Sequence, residues 1–280
     1  MPIGHIPFAK GATPVFIAGA PRSGTTLLTA LLNSHPQVLI TNELRPFMLL
    51  NDVYRRTKIP SELLPEHPLR EKFRQSLLHA MKSMFHEFYK EEVTKDELGC
   101  PAEAGVSVKR EIKAFGDKNP GYADPHANDC LNFIAETVPD AKFIHIHRDP
   151  RACVASYLDI PVYSNELDRC INIWSRHTKS MIELRQSLGA HRVLEIRYED
   201  LVTEKGDAIF RKIENHINVD AAHEPLDFLA RERARPIPYR SPTTPVEKLG
   251  RAAWEGRLSA DTAATIIKET ASLSKMLADH

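Results

Sequence analysis

Residues 14–38, PVFIAGAPRSGTTLLTALLNSHPQV, constrain the fold more tightly than any other stretch of the chain. The apolar run Val15-Phe16-Ile17-Ala18 reads as a buried strand and stops at Gly19. The loop Ala20-Pro21-Arg22-Ser23-Gly24 follows. Thr25-Thr26 then opens a segment in which Leu27, Leu28, Leu31 and Leu32 recur at helical spacing. A strand that passes through a glycine-bounded loop into a helix aims loop amides and the positive end of the helix dipole at one point. This is an anion cradle, and the ligand expected in it carries phosphate or sulfate.

The kinase loop G-x-x-x-x-G-K-[ST] uses its lysine to reach the outer phosphates. Here Gly19 and Gly24 keep the spacing, but Thr25 stands where that lysine would be. The loop's cation is Arg22, a planar fork of donors. A kinase using ATP and magnesium also requires a metal-binding carboxylate at a strand end, yet the strand Ala141–His147 runs directly into Arg148. That kinase is the first alternative. The second is a nucleotide-binding protein that keeps the cradle without catalysis.

A length of 280 residues admits one large α/β domain or two small ones. Lysine and arginine total 37, as do aspartate and glutamate, so no global field points to nucleic acid or an acidic membrane. Any basic site must be local. Cys100, Cys130, Cys153 and Cys170 are widely spaced and read as reduced thiols, not as a disulfide or zinc framework. The first residues carry no recognisable signal peptide, and no apolar run reaches membrane-spanning length. The expected setting is cytoplasmic.

Beyond the first helix, Val38–Ile40 reads as a strand and Leu69–Glu92 as a long helix. Ala114–Pro120 reads as a strand end entering a turn, and His126–Thr137 as a helix. Ala141–His147 and Arg192–Arg197 are strands. Arg151–Tyr157, Leu167–Ser187 and Tyr198–Leu201 are helices, and Arg235–Pro245 is an irregular proline-rich loop. A helix over Ser259–Leu277 has Ser259 as its cap. Alternating strands and helices imply an α/β fold with a central parallel sheet flanked by helices. One domain spans 1–280, with a helical insert at about 51–108 and a helical segment at about 259–277. In such sheets ligands bind beyond the carboxyl ends of the strands. The loops at Gly19–Gly24, Asn42–Arg45, Gly116–Pro120, Arg148–Arg151 and Tyr198 are expected to meet there.

With these segments, the chain resembles the PAPS-dependent sulfotransferases, and most of all their tyrosylprotein sulfotransferase branch. The resemblance implies a P-loop-like domain and 3′-phosphoadenosine 5′-phosphosulfate (PAPS) as co-substrate, without a metal. It implies transfer of a sulfuryl group to a hydroxyl or amine. Arg22, Ser23, Gly24, Thr25 and Thr26 would cradle the 5′-phosphosulfate. Arg148 and Ser156, eight residues apart, match the family's 3′-phosphate pair. Tyr198 resembles an aromatic near the nucleotide. Ser241 and the segment KLGRAAW, with either Lys248 or Arg251, match the loop that closes over the 3′-phosphate. Glu43, 21 residues after Arg22, falls where the tyrosylprotein branch has its general base. Arg45 matches an arginine beside the acceptor, and Lys118 a lysine on the departing bridge oxygen.

In-line sulfuryl transfer needs positioning and fixed positive charge where the leaving oxygen develops its own charge. Arg22 and Arg45 are expected to keep Glu43 ionised. The acceptor stays open: a small molecule, a glycan or a peptide, with 51–108 and Asp159–Asn165 shaping its pocket. His145 and His147 are expected to be packed strand residues, and His35 a structural residue closing the first helix. Asp168, Arg169, Arg176 and Lys179 are expected on a solvated helix face.

Overall fold

The computed structural model describes residues 8–56, 68–90, 109–127, 129–163, 165–234 and 254–278. Five strands form one sheet: β1 (Phe8–Ala18), β2 (Val38–Asn42), β3 (Ile112–Lys118), β4 (Lys142–His147) and β5 (Val193–Arg197). Their order is β2-β3-β1-β4-β5, and every pairing is parallel. The helices are α1 (Thr25–Asn33), α2 (Pro46–Arg56), α3 (Pro68–Lys90), α4 (Cys130–Thr137) and α5 (Pro150–Leu158). They continue as α6 (Leu167–Leu188), α7 (Tyr198–Leu201), α8 (Gly206–His216), α9 (Glu224–Ala234) and α10 (Ala260–Ala278). A 3₁₀ turn, Pro120–Ala123, leaves the end of β3.

Both faces of the sheet are buried, which explains why the Val15–Ala18 part of β1 is apolar at every position instead of alternating. Successive side chains still point to opposite faces. Val15 and Ile17 pack with Leu28, Leu31, Ile144 and Phe210 on one side. Phe16 packs with Phe47, Tyr122 and Phe143 on the other. Phe16 and Phe47 meet edge to face with ring centroids 5.1 Å apart. A third apolar cluster joins α5, α6 and α10 through Val154, Tyr157, Trp174 and Ile266. Cys130, Cys153 and Cys170 are buried free thiols.

Several elements differ from their expected bounds. β1 starts at Phe8, because its pairing with β3 reaches back to Phe8–Ile112 across an irregularity before Thr13. α4 starts at Cys130 instead of His126, since Asp129 holds φ at 58° and no right-handed helix passes through it. α8 and α9 have no counterpart among the expected elements, and α2 begins before the expected helical insert. Within the expected insert, 57–67 and 91–108 lie outside the described residues, as does Arg235–Pro245. Ser259 does cap α10, with its Oγ accepting from the Thr262 amide at 3.1 Å.

β2 is an edge strand, and Asn33 at the end of α1 completes it. The Asn33 amide donates to the Ile40 carbonyl at 2.7 Å and accepts from the Ile40 N–H at 2.8 Å. The side chain therefore acts as a one-residue sixth strand. Replacing Asn33 with Ala strands two buried backbone groups and is expected to cost roughly 2–4 kcal/mol of stability. Urea denaturation checks this: the midpoint should fall while the slope stays at its wild-type value.

Candidate functional site

Because all five strands run the same way, their carboxyl ends open on one rim. β1 lies at the centre; the chain goes to β2 and β3 on one side and crosses to β4 and β5 on the other. The crevice between β1 and β4 is the topological switch point, where doubly wound sheets bind ligands. The loop after β1 carries Arg22, and the residue after β4 is Arg148.

The two loops interlock. Arg22 Nε donates to Ser156 Oγ on α5 at 3.1 Å. Arg148 Nη1 donates back to the Arg22 carbonyl at 3.2 Å. The Arg148 guanidinium also lies 4.3 Å from the centroid of the Tyr198 ring, a cation–π contact. Tyr157 OH donates to the Pro21 carbonyl at 2.6 Å, so α5 fixes the loop at a second point. Arg148 is held from behind as well. Trp174 Nε1 donates to its carbonyl, and the next amide, Asp149 N–H, donates to Glu199 Oε1 at 2.9 Å.

The loop fits an anion. Ser23 is fully buried, and its Oγ has no hydrogen-bond partner among the described residues. A buried hydroxyl in that state needs a ligand oxygen or water. Gly24 precedes α1 at φ 102°, and a Cβ there would lie 2.3 Å from Tyr198 Cδ2. The close approach of Tyr198 to the loop therefore requires glycine.

The carboxylate side of the rim is built by β2 and β3. Lys118 is buried, and its Nζ donates to Glu43 Oε1 at 2.8 Å and to Thr26 Oγ1 at 3.4 Å. Glu43 is thus paired with Lys118. The register explains it: Asn42 pairs with Lys118, and Glu43 N–H donates to the Lys118 carbonyl at 2.8 Å. Arg45 follows on the same turn and is exposed. Both Glu43 and Arg45 adopt left-handed backbone, with φ 61° and 63°.

Asp117 holds this turn, and sequence reasoning missed it. Its Oδ1 accepts from Thr41 Oγ1 at 2.7 Å and from the Leu44 amide at 3.2 Å. Its Oδ2 accepts from Tyr122 OH at 2.6 Å and from the Arg45 amide at 3.4 Å. Burial raises the Asp117 carboxyl above the usual carboxylate range, against the pull of these hydrogen bonds. The available signal was an acidic residue inside an otherwise buried strand, immediately before Lys118.

A groove of about 390 Å³ opens nearby, lined by Tyr163, Asp168, Arg169, Asn172, Ile173 and Arg176. Tyr163 connects it to the anion loop, since its ring centroid is 4.9 Å from that of Tyr157. Burial raises the Tyr163 phenol, while the Arg22 charge lowers it. Arg176 departs from the solvated face expected for it, being half-buried and paired with Asp124 at 3.0 Å. Asp168, Arg169 and Lys179 are exposed as expected.

His145 Nδ1 lies 3.2 Å from Glu195 Oε1, and burial holds His147 down at about 3, so both are packed strand residues. His35 closes α1 structurally, with Nδ1 accepting from Gln37 N–H and Nε2 within 2.9 Å of the Asp220 carbonyl. Ser241, Lys248 and Arg251 lie outside the described residues. Trp254, the last residue of KLGRAAW, sits 4.2 Å beneath the Arg151 guanidinium at the start of α5. Gly24→Ala combines unfavourable backbone with a clash, and is expected to cost about 2 kcal/mol and roughly 5 °C in Tm. A thermal melt against wild type checks it.

Comparison with known proteins bears on the family and the fold. The profile described as "Sulfotransferase family" matches residues 14–223. A "Protein-tyrosine sulfotransferase" of Drosophila melanogaster is 25% identical over 283 aligned positions, covering 94% of this chain and 50% of that protein. "Protein-tyrosine sulfotransferase 1" of Danio rerio is 31% identical over 208 positions, covering 70% of this chain and 50% of its own length. The chain thus spans about half the length of these relatives. Among solved structures, the "Sulfotransferase Domain from the Synechococcus PCC 7002 Olefin Synthase" superposes with a TM-score of 0.58 at 22% identity. That alignment covers 96% of this chain and 97% of the other, and it bears on the fold. The sequence match over the sheet and its rim shows that this chain belongs to the sulfotransferase family.

Proposed function

We propose that this chain transfers a sulfuryl group from PAPS to a hydroxyl or amine acceptor, and that residues 1–280 form one domain for that purpose. The observation that carries the reading is the Arg22–Ser156–Arg148 junction at the switch point, set beside the Lys118–Glu43 pair. A nucleotide with two separate anionic groups needs two anion sites. The Arg22–Thr26 loop supplies one for the 5′-phosphosulfate, through Arg22, the α1 dipole and the Ser23 hydroxyl, which has no partner among the described residues. Arg148 and Ser156 supply the other for the 3′-phosphate, with Tyr198 near the nucleotide. Ser241 and Arg251, or Lys248 in place of Arg251, complete it.

The reaction breaks the sulfur–oxygen bond to the phosphate and forms one to the acceptor oxygen or nitrogen. Glu43 takes the acceptor's proton as general base. Lys118 and Arg22 stabilise the charge that appears on the departing phosphate oxygen. At 2.8 Å the Lys118–Glu43 pair leaves no room for a sulfuryl group between them. The pair therefore opens when both substrates enter, releasing the base toward the acceptor and the ammonium toward the leaving oxygen. Arginine, lysine and amides suffice for a group of low charge, so the reading assigns no role to a metal ion.

The reading assigns the acceptor to the groove beside Tyr163, and the family resemblance adds Arg45 as an acceptor contact. The names of the relatives favour a phenolic hydroxyl on a peptide, and a small molecule or glycan fits the same chemistry. Glu43→Gln is expected to bind adenosine 3′,5′-bisphosphate as tightly as wild type while losing about 10²–10⁴ in kcat on a phenol. Calorimetry and a sulfate-transfer assay from PAPS measure the two. Full turnover in that variant excludes the base role, and absence of bisphosphate binding by wild type excludes the donor.

A further inference from the structure

The backbone that carries Glu43 is strained and has no helix or strand to hold it. Glu43 and Arg45 both sit at positive φ, at 61° and 63°, although neither is glycine, asparagine or aspartate. Such a turn persists only where its surroundings over-determine it. Here three consecutive amides are tied down by two adjacent residues. Glu43 N–H donates to the Lys118 carbonyl, and the Leu44 and Arg45 amides donate to the Asp117 carboxylate. Thr41 and Tyr122 hydroxyls fill the remaining acceptor sites of Asp117.

We propose that Asp117 is a positioning residue, whose carboxylate sets the turn that aims Glu43 at the acceptor and keeps it in reach of Lys118. The inference rests on the sulfuryl-transfer reading for what Glu43 does. Asp117 is completely buried, so it touches neither substrate nor solvent and acts through the turn. Its chemistry is specific: four donors converge on it, two hydroxyls and two amides. An ionised carboxylate accepts all four, whereas an amide of the same shape turns an NH₂ toward two of them. The same carboxylate ties β2 through Thr41 and the 3₁₀ turn through Tyr122. The carboxyl end of β3 is thereby the common reference for the base and for the lysine.

Asp117→Asn in the full chain tests this against a merely structural role. Bisphosphate affinity by calorimetry is expected to stay within about 2-fold, because the hydrogen bonds of the Asp117 carboxylate go to Thr41, Leu44, Arg45 and Tyr122 and not to the Arg22–Thr26 loop. The kcat for transfer from PAPS to 2-naphthol is expected to fall about 10–100-fold, the scale of a misplaced catalytic group. In a Glu43→Gln background the same change should cost less than about 3-fold, since residues acting as one unit are not additive. Amide hydrogen exchange at Leu44 and Arg45 should speed up in Asp117→Asn, whether or not any acceptor is turned over.

A kcat within 2-fold of wild type, full multiplication of the two losses, or unchanged exchange at Leu44 and Arg45 would each overturn the proposal. If Asp117→Asn does not fold, Tyr122→Phe removes a single donor; faster exchange at those amides is then expected, and unchanged exchange overturns it. Wild-type protein that neither binds the bisphosphate nor transfers sulfate would sink the functional reading alone, while exchange still decides the tether.

Discussion

The whole site depends on one geometric constraint: every strand of the sheet points the same way. Parallel strands need crossover connections, and these return the chain so that each strand leaves the sheet on the same rim. Arg22 and Arg148, 126 positions apart, reach hydrogen-bonding distance only because β4 lies directly beside β1. Lys118 and Glu43 meet because β2 and β3 pair in a register that sets Asn42 opposite Lys118. A chain with no net charge can thus gather its cations at one place.

Gathering charge at a buried rim is costly, and the structure offsets the cost pair by pair. Lys118, Arg148, Asp117 and Glu199 are all buried. Lys118 faces Glu43, Arg148 faces the Arg22 carbonyl and the Tyr198 ring, and Glu199 accepts from Asp149 N–H and Arg197. Buried ionic groups of this kind are weak contributors to net stability, yet removing one partner leaves the other stranded. Backbone strain concentrates in the same place. Of the five non-glycine residues at positive φ among the described residues, Arg22, Glu43 and Arg45 lie on this rim. Stored strain at a site whose neighbours are held so firmly is the signature of preorganisation.

Reading the chain by local pattern worked where one physical rule governs a short segment. Val15–Ala18 is apolar at every position because both faces are covered, and Gly19–Gly24 reads as a tight loop because it bounds a strand and a helix, which is where it lies, with Gly24 at φ 102°. Ser259 caps its helix for the same local reason. Local reading failed where the decisive partner is distant. The partner of Glu43 depends on the β2–β3 register, which no spacing within 41–45 encodes. Asp117 reads as one acidic residue in a strand until Thr41, Leu44, Arg45 and Tyr122 close around it. Arg176 looks like a solvated helix residue until Asp124 arrives from the turn after β3. α4 starts later than its helical pattern because Asp129 takes a left-handed conformation, which periodicity does not signal.

By itself the sequence determined the fold class, the tight arginine-bearing loop between β1 and α1, and the family, since each follows from residues adjacent in the chain or at fixed short offsets. Tertiary structure alone decided which charges pair, which carboxylate is buried among four donors, and that Tyr163 of the groove meets Tyr157, which bonds the loop after β1. Most of those are contacts between segments tens to more than a hundred positions apart. Their free energies depend on distance and burial, which sequence spacing does not carry.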